Sequence, residues 1–206
     1  ITRNNPMGQT CGLICPDKFC MQACTRAGID FPINIPRVQA TILEKYRTAE
    51  SAAHPKLPAN GKKVAVIGAG PAGIAATAEL SRLGYRITLF ESFEKIGGAL
   101  NLIPDKRLPF EVIAKDWSFI DDPDMIELRL NTPVNNPAAL LEQDFDGVIV
   151  ATGEPEGINL GIDGEEHAVS YLDYLRHPEH YAARGNIAVI GGGAVATDCA
   201  LKAVNN

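Results

Sequence analysis

Apolar positions along the chain fall into two kinds of pattern. Short unbroken apolar runs, Val64–Ile67, Val148–Ala151 and Ile187–Ile190, read as strands, the first buried on both faces and the second buried as well. Arg86–Phe90 and Met125–Leu130 are two further strands, and the outer runs extend to Asp146–Ala151 and Asn186–Ile190. Between them lie helical stretches. Pro71–Leu83 is stopped by Gly84, Phe110–Ile120 follows, and Pro137–Gln143 has Asn136 as its cap. Tyr171–Arg176 ends before Pro178, and Ala194–Asn206 is a helix just begun. Ahead of all these, Arg37–Ser51 reads as a helix entered through Pro36, with Val38, Ile42 and Tyr46 on its apolar face.

The alternation of strand and helix predicts an α/β protein of Rossmann-like type. Three segments differ in character: residues 1–53, rich in cysteine and helical; 60–160, a first dinucleotide-binding domain; and 161–206, the start of a second. His54–Gly61 is the linker between the first two. A weak internal repeat joins VAVIGAGPAG (64–73) and IAVIGGGAVA (187–196), each a strand, a glycine turn and a helix start. The chain opens on Ile1 rather than Met and stops within a helix, so it is expected to be part of a longer chain.

Composition narrows the classes. Of 206 residues, 46% are hydrophobic and 21% charged, which is globular. Nineteen basic against twenty-five acidic side chains, with no basic stripe, argue against nucleic acid. No apolar run approaches the roughly 20 residues of a membrane span, and no signal-peptide core opens the chain. A cytoplasmic protein is expected. G-x-S-x-G, Walker and H-E-x-x-H motifs are absent from the sequence, so hydrolase chemistry has no residues to rest on.

The first glycine turn, Gly68-Ala69-Gly70-Pro71-Ala72-Gly73, has the spacing of a dinucleotide fingerprint, between a strand and a helix. Its glycines allow a tight turn, close approach to a pyrophosphate, and close packing of helix on strand. The helix N-terminus then offers free amides to the phosphates. Glu91 ends the second strand, eighteen residues past Gly73, where a carboxylate can accept both ribose hydroxyls. The second turn, Gly191-Gly192-Gly193-Ala194-Val195-Ala196, has the G-x-G-x-x-A form. Two such turns point to two dinucleotides, and a flavin with a nicotinamide is the usual redox pair.

Four of the five cysteines, Cys11, Cys15, Cys20 and Cys24, lie within fourteen residues as C-x3-C-x4-C-x3-C. Spacing alone leaves an iron–sulfur cluster, a zinc site and no metal all open. A flavin nearby favours the cluster, because a flavin takes up two electrons as hydride and can release them singly. Cys199 reads as a small core residue, Trp117 and Phe119 as packing, His177-Pro-Glu-His180 as a solvated turn, and Asp121-Asp122 and Glu165-Glu166 as surface charges.

Taken in order, NNPMGQTCGLICPDKFCMQAC, PINIPRVQ, VAVIGAGPAG, the Gly97–Pro109 stretch, VIVATG and VIGGG resemble one family. It comprises the small (β) subunit of NADPH-dependent glutamate synthase and the amino-terminal half of dihydropyrimidine dehydrogenase, and the likeness spans nearly the whole chain. The resemblance implies a helical domain carrying two [4Fe-4S] clusters, then an FAD domain interrupted by an NAD(P) domain. It implies that Cys15 and Cys20 ligate one cluster and Cys24 the other, with the remaining cysteines upstream of Ile1. Gln39 falls at an unusual glutamine ligand, and Cys11 at a cysteine that is not a ligand. FAD would contact Gly68, Ala69, Gly70, Pro71, Ala72 and Gly73, with Glu91 on its ribose. Lys95, Gly98, Ala99 and Leu100 would run beside the cofactor, Arg107 and Val134 would wall it, and Thr152-Gly153 would lie near the flavin. Gly192, Gly193, Ala194 and Val195 would begin the nicotinamide site, although Ala194 stands where Asp or Asn is usual.

The resulting expectation is an NAD(P)H oxidoreductase module. Electrons enter from NAD(P)H, pass through FAD to [4Fe-4S] clusters, and leave to a catalytic large subunit or fused reductase domain. Such chemistry belongs to the cofactors, so no catalytic acid or base is named. Transfer to ferredoxin, a flavoprotein with vestigial clusters, and a zinc-stabilised nucleotide-binding scaffold are the competing readings.

Overall fold

A computed structural model of the chain describes residues 5–48, 56–154, 156–157, 160–181 and 185–205. Four strands, β1 (Lys63–Ile67), β2 (Arg86–Phe90), β3 (Ile126–Arg129) and β4 (Gly147–Val150), form one parallel sheet in the order β3-β2-β1-β4. The helices are α1 (Gly8–Ile14), α2 (Lys18–Gln22), α3 (Ile35–Tyr46), α4 (Pro71–Arg82), α5 (Phe110–Ser118), α6 (Ala138–Leu141), α7 (Tyr171–Arg176) and α8 (Ala194–Asn205). This is the Rossmann-like parallel α/β fold. Its strand order reverses between β1 and β4, the position at which ligands bind in open α/β sheets.

The β1 side chains alternate between the two faces, and both faces are covered. Val64 and Val66 share one core with Ile74, Ile87, Leu89, Leu108, Ile113 and Trp117. Ala65 and Ile67 meet Phe90 and Leu140 in the other. That double burial is why β1 has no polar position between Val64 and Ile67. Met7, from the cysteine-bearing segment, is part of the first core. Trp117 is therefore packing, as expected, and Phe119 carries the Arg47 guanidinium 4.3 Å above its ring. The buried Cys199 is likewise a small core residue.

Three expectations need correction. Helix α3 begins two residues early, with Asn34 Oδ1 accepting the Arg37 N–H at 3.0 Å. Its buried residues are Pro36, Ala40 and Leu43, while Val38, Ile42 and Tyr46 are 48, 40 and 70% exposed. The cause is Gly12 of α1, where a Cβ would lie 2.7 Å from the Ala40 nitrogen. Only a small residue fits that crossing, so α3 turns Ala40 rather than its larger apolar stripe toward α1. The far end of the expected helix, residues 49–51, lies outside the described residues. Second, β4 is an edge strand among the described residues, and Val150 is 58% exposed instead of buried. Third, Ile187–Ile190 is not a strand. A strand needs a neighbour to pair its amides and carbonyls, and this segment has no sheet partner among the described residues.

Candidate functional site

The glycine turn leaves β1 where the sheet order reverses. Gly68 has φ +102°, and a Cβ there would come within 2.4 Å of the Ala151 carbonyl oxygen at the end of β4. A Cβ on Gly73 would sit 1.8 Å from the Gly68 oxygen, so only glycine lets α4 lie this close to the strand. Gly70 differs: its nearest neighbour would be Gly98 Cα at 3.8 Å. Its Cα face is free for an incoming group, while the fold itself makes no demand on it. The first helical bond of α4 runs from Ile74 N–H to the Gly70 carbonyl at 2.9 Å. The amides of Ala72 and Gly73 therefore precede the ladder and are free for an anion, and Pro71 has none to leave unpaired.

A second loop closes the cradle. The Gly97 N–H donates to the Ala69 carbonyl at 2.8 Å, and Gly98, at φ +55°, approaches Gly70 so closely that a Cβ would lie 2.9 Å from its Cα. Sequence reasoning brought Gly98 here only through the family resemblance. The local signal is the Gly97-Gly98 pair after a strand.

Glu91 is 5% exposed and aimed at the bend. Its Oε2 accepts the Ala69 N–H at 2.8 Å, and its Oε1 accepts the Phe93 N–H at 3.0 Å and the Ser92 hydroxyl at 3.1 Å. A carboxylate has about four lone-pair positions. Three are used here, so the carboxylate is held rigidly beside the turn with one position left, enough for one ribose hydroxyl and not the two expected.

The other expected contacts are dispersed in part. Leu100 is buried in the core, and exposed Lys95 lies over the Phe110 ring at 5.3 Å. Ala99, Thr152 and Gly153 are exposed. Val134 packs on the opposite core with Phe90 and Leu140. Arg107 is turned to α8: its Nη1 donates to Asp198 Oδ1 at 2.6 Å and to the Ala194 carbonyl at 3.5 Å. Gly192, Gly193, Ala194 and Val195 are exposed at the start of α8. They border an open groove whose lining includes Ser170, Tyr171, Gly191, Gly193 and Ala194.

The cysteines divide into two groups. Cys11 lies on α1, Cys15 caps it and Cys20 lies on α2. Partial burial, reinforced by the neighbouring Cys11 and Cys20, pushes the Cys15 thiol up. Cys24 stands at the head of the Thr25–Gly28 turn, where its sulfur accepts the Ile33 N–H at 3.5 Å. That bond, with the Arg26 amide, draws its thiol down, which favours the thiolate. Among the described residues, no three cysteine sulfurs lie within 4.8 Å of one another. The Gln39 Nε2 donates to the Gly8 carbonyl at 2.7 Å, which anchors the amide through its donor end. His177 and His180 are exposed and stacked 5.1 Å apart, flanking Glu179 on the expected solvated turn.

Sequence reasoning missed Asp116 and Arg47. Asp116 is fully buried on α5, and the Arg47 side chain is 1% exposed. The signal was there: Asp116 interrupts the apolar stripe of Ile113 and Trp117.

Residues 66–118 match the NAD(P)-binding Rossmann-like domain. The chain is 35% identical over 212 residues to the NAD-dependent dihydropyrimidine dehydrogenase subunit PreT homolog of Salmonella typhi, an alignment covering 97% of this chain and 50% of that protein. It is 37% identical over 156 residues to the NADP(+)-dependent formate dehydrogenase subunit beta of Moorella thermoacetica, covering 70% of this chain and 22% of the relative. The NADPH-Fe(3+) oxidoreductase subunit beta of Geobacter sulfurreducens is 32% identical over 216 residues, or 97% of this chain and 31% of its own. The chain thus spans about half the length of the first of these relatives and less of the others. Among solved structures, 2-naphthoyl-CoA reductase has the same fold at a TM-score of 0.54 and 23% identity, over 75% of this chain and 23% of that one. No helix among the described residues is long and apolar enough to cross a membrane. With its glycine turn at the sheet's switch point and a likeness that runs over nearly its whole length, the chain is a homologue of these NAD(P)-linked oxidoreductase subunits.

Proposed function

We propose that this chain is the electron-input part of a cytoplasmic oxidoreductase, taking reducing equivalents from NAD(P)H and passing them through FAD and [4Fe-4S] clusters to a partner subunit or domain. The observation that carries this is Glu91, whose buried carboxylate is held by the Ala69 amide at 2.8 Å, beside an open Gly70. That combination suits an adenosine diphosphate group: amides for the pyrophosphate, a carboxylate acceptor for the ribose. When bound, FAD would supply hydride acceptance and single-electron release, which no side chain provides.

The roles of the protein residues follow. Ala72 and Gly73 would offer their amides to the diphosphate, and the α4 dipole favours negative charge there. Gly70 leaves the approach open. Gly97 and Gly98 brace the bend from the far side. Cys15, Cys20, Cys24 and Gln39 would hold the metal centres. The sulfur chemistry fits: Cys24 receives amide hydrogen bonds as a ligating thiolate does, and Gln39 is anchored so that its oxygen end is the one presented. Gly192, Gly193, Ala194 and Val195 at the start of α8 would receive the nicotinamide dinucleotide.

The full-length protein tests the reading through its colour and metal content. Flavin absorption with a broad iron–sulfur shoulder is expected, bleached by NADH or NADPH. Colourless protein with about one zinc per chain would favour the scaffold reading. Flavin without iron would remove the cluster relay.

A further inference from the structure

Asp116 sits at a junction that the proposed function does not use. It lies on α5, inside the sheet unit, and is fully buried. Its Oδ1 accepts the Gln9 N–H at 3.3 Å and its Oδ2 the Thr10 N–H at 2.8 Å, both from the first turn of α1. Arg47, just past α3, donates to the same Oδ1 at 2.5 Å and to the Pro6 carbonyl at 3.4 Å. Its guanidinium also stacks on Phe119. One carboxylate therefore joins both ends of the cysteine-bearing segment to the helix that packs on the sheet.

Burying such a pair is costly. Apolar side chains of equal volume would hold two surfaces together at least as well. What the charged pair supplies is a single defined docking, because two carboxylate oxygens must meet two amides and a planar guanidinium at once. The junction is also mechanically continuous with the glycine bend. Helix α5 follows the loop of Leu108, and the Gly97 amide of that connection is bonded to Ala69.

We infer that Asp116, with Arg47, is a positioning residue. It fixes the distance between the cysteine segment and the dinucleotide bend, so that electrons leaving one reach the other at a set rate. The consequence for electron flow rests on the proposed function, whereas the docking itself does not. The transfer moves one electron at a time and makes no bond, so its rate depends on separation and orientation.

The test uses the full-length, cofactor-loaded protein carrying Asp116→Asn, which keeps volume but replaces one acceptor oxygen with a donor. Lys115→Ala removes the exposed Lys115–Glu44 carbonyl contact at 3.3 Å and is the control. Amide hydrogen exchange is read first. Gln9 and Thr10 should exchange about tenfold faster in Asp116→Asn, with β1 and β2 unchanged. Stopped-flow absorption is read second. Flavin bleaching by the nicotinamide should stay within about twofold, while onward reduction of the clusters slows roughly tenfold or more, within the 10²-fold or so that a misplacement near an ångström can cost. Faster exchange with both rates unchanged overturns the inference, as does equal slowing of both. If the wild-type protein holds no flavin or no iron, it is the proposed function that fails, and the exchange result still decides the docking. Should Asp116→Asn not fold, Arg47→Lys keeps the charge but loses the planar fork. The same split is then expected, and its absence overturns the inference.

Discussion

Arg107 and Asp198 form an ion pair at 2.6 Å between the loop that follows the Gly97-Gly98 pair and helix α8. They are ninety-one residues apart in sequence. The Asp198 side chain is 6% exposed and that of Arg107 30%. Burial raises the Asp198 carboxyl, and the guanidinium opposes that rise.

Removing the cation should leave a buried carboxylate uncompensated. Arg107→Gln is expected to cost about 2 kcal/mol at neutral pH, below the value for breaking a fully buried pair because Arg107 is partly solvated. The pH dependence has a definite sign. With its folded value raised, Asp198 binds more protons folded than unfolded, so it lowers stability as pH rises through that window. The loss is larger in the variant, where nothing opposes burial. The gap between wild type and Arg107→Gln should therefore open above the ordinary carboxylate range and close in acid, as read by urea unfolding across pH. A gap independent of pH would show that the pair is not responsible.

Two glycines of one turn should respond oppositely to alanine. Gly73→Ala places a methyl 1.8 Å from the Gly68 oxygen and should destabilise the fold by about 3 kcal/mol or prevent it. Gly70→Ala meets nothing nearer than 3.8 Å and should leave the melting temperature almost unchanged. It should nevertheless weaken dinucleotide binding by about tenfold or more, because the methyl occupies the approach a pyrophosphate needs. Calorimetric melting and flavin titration separate the two. Normal binding by Gly70→Ala would move the ligand elsewhere.

Glu91 has both a structural and a binding role. Glu91→Ala strands the Ala69 amide in a buried position, an expected cost of about 1–3 kcal/mol in thermal or denaturant unfolding. Glu91→Gln keeps an acceptor for that amide but loses the charge toward the ribose. Its NH2 then faces the Phe93 N–H, so it should cost stability, but less than Glu91→Ala, and it should bind adenine dinucleotides more weakly. Equal binding by Glu91→Gln and wild type would remove the ribose role.

The cysteine groups can be told apart by metal content. Under the proposed function, Cys24→Ser and Cys15→Ser each lower iron per chain, and Cys11→Ser does not. Gln39→Leu, which loses the bond to the Gly8 carbonyl, should alter the electron paramagnetic resonance signature of a cluster more than its iron content. Iron loss on Cys11→Ser would instead favour one shared site.

Local chemistry wrote most of the sheet unit into the sequence. Val64–Ile67 has no polar position because both faces of β1 are covered, and Gly84 at φ +83° ends α4 where expected. The bend glycines and the place of Glu91 after β2 were legible because a tight bend leaves little choice of residue, whereas the pairing of β1 with β4 was not. Tertiary structure decided what depends on distant neighbours. The exposed stripe of α3 was unreadable because Gly12, not the helix's own period, chooses the face that meets α1. Ile187–Ile190 has a strand's composition, but pairing is a property of two segments, and the described residues provide only one. Asp116 and Arg47 were hidden for the same reason: each is an ordinary charged residue in sequence, and only the packed chain removes both from water and makes each the other's requirement.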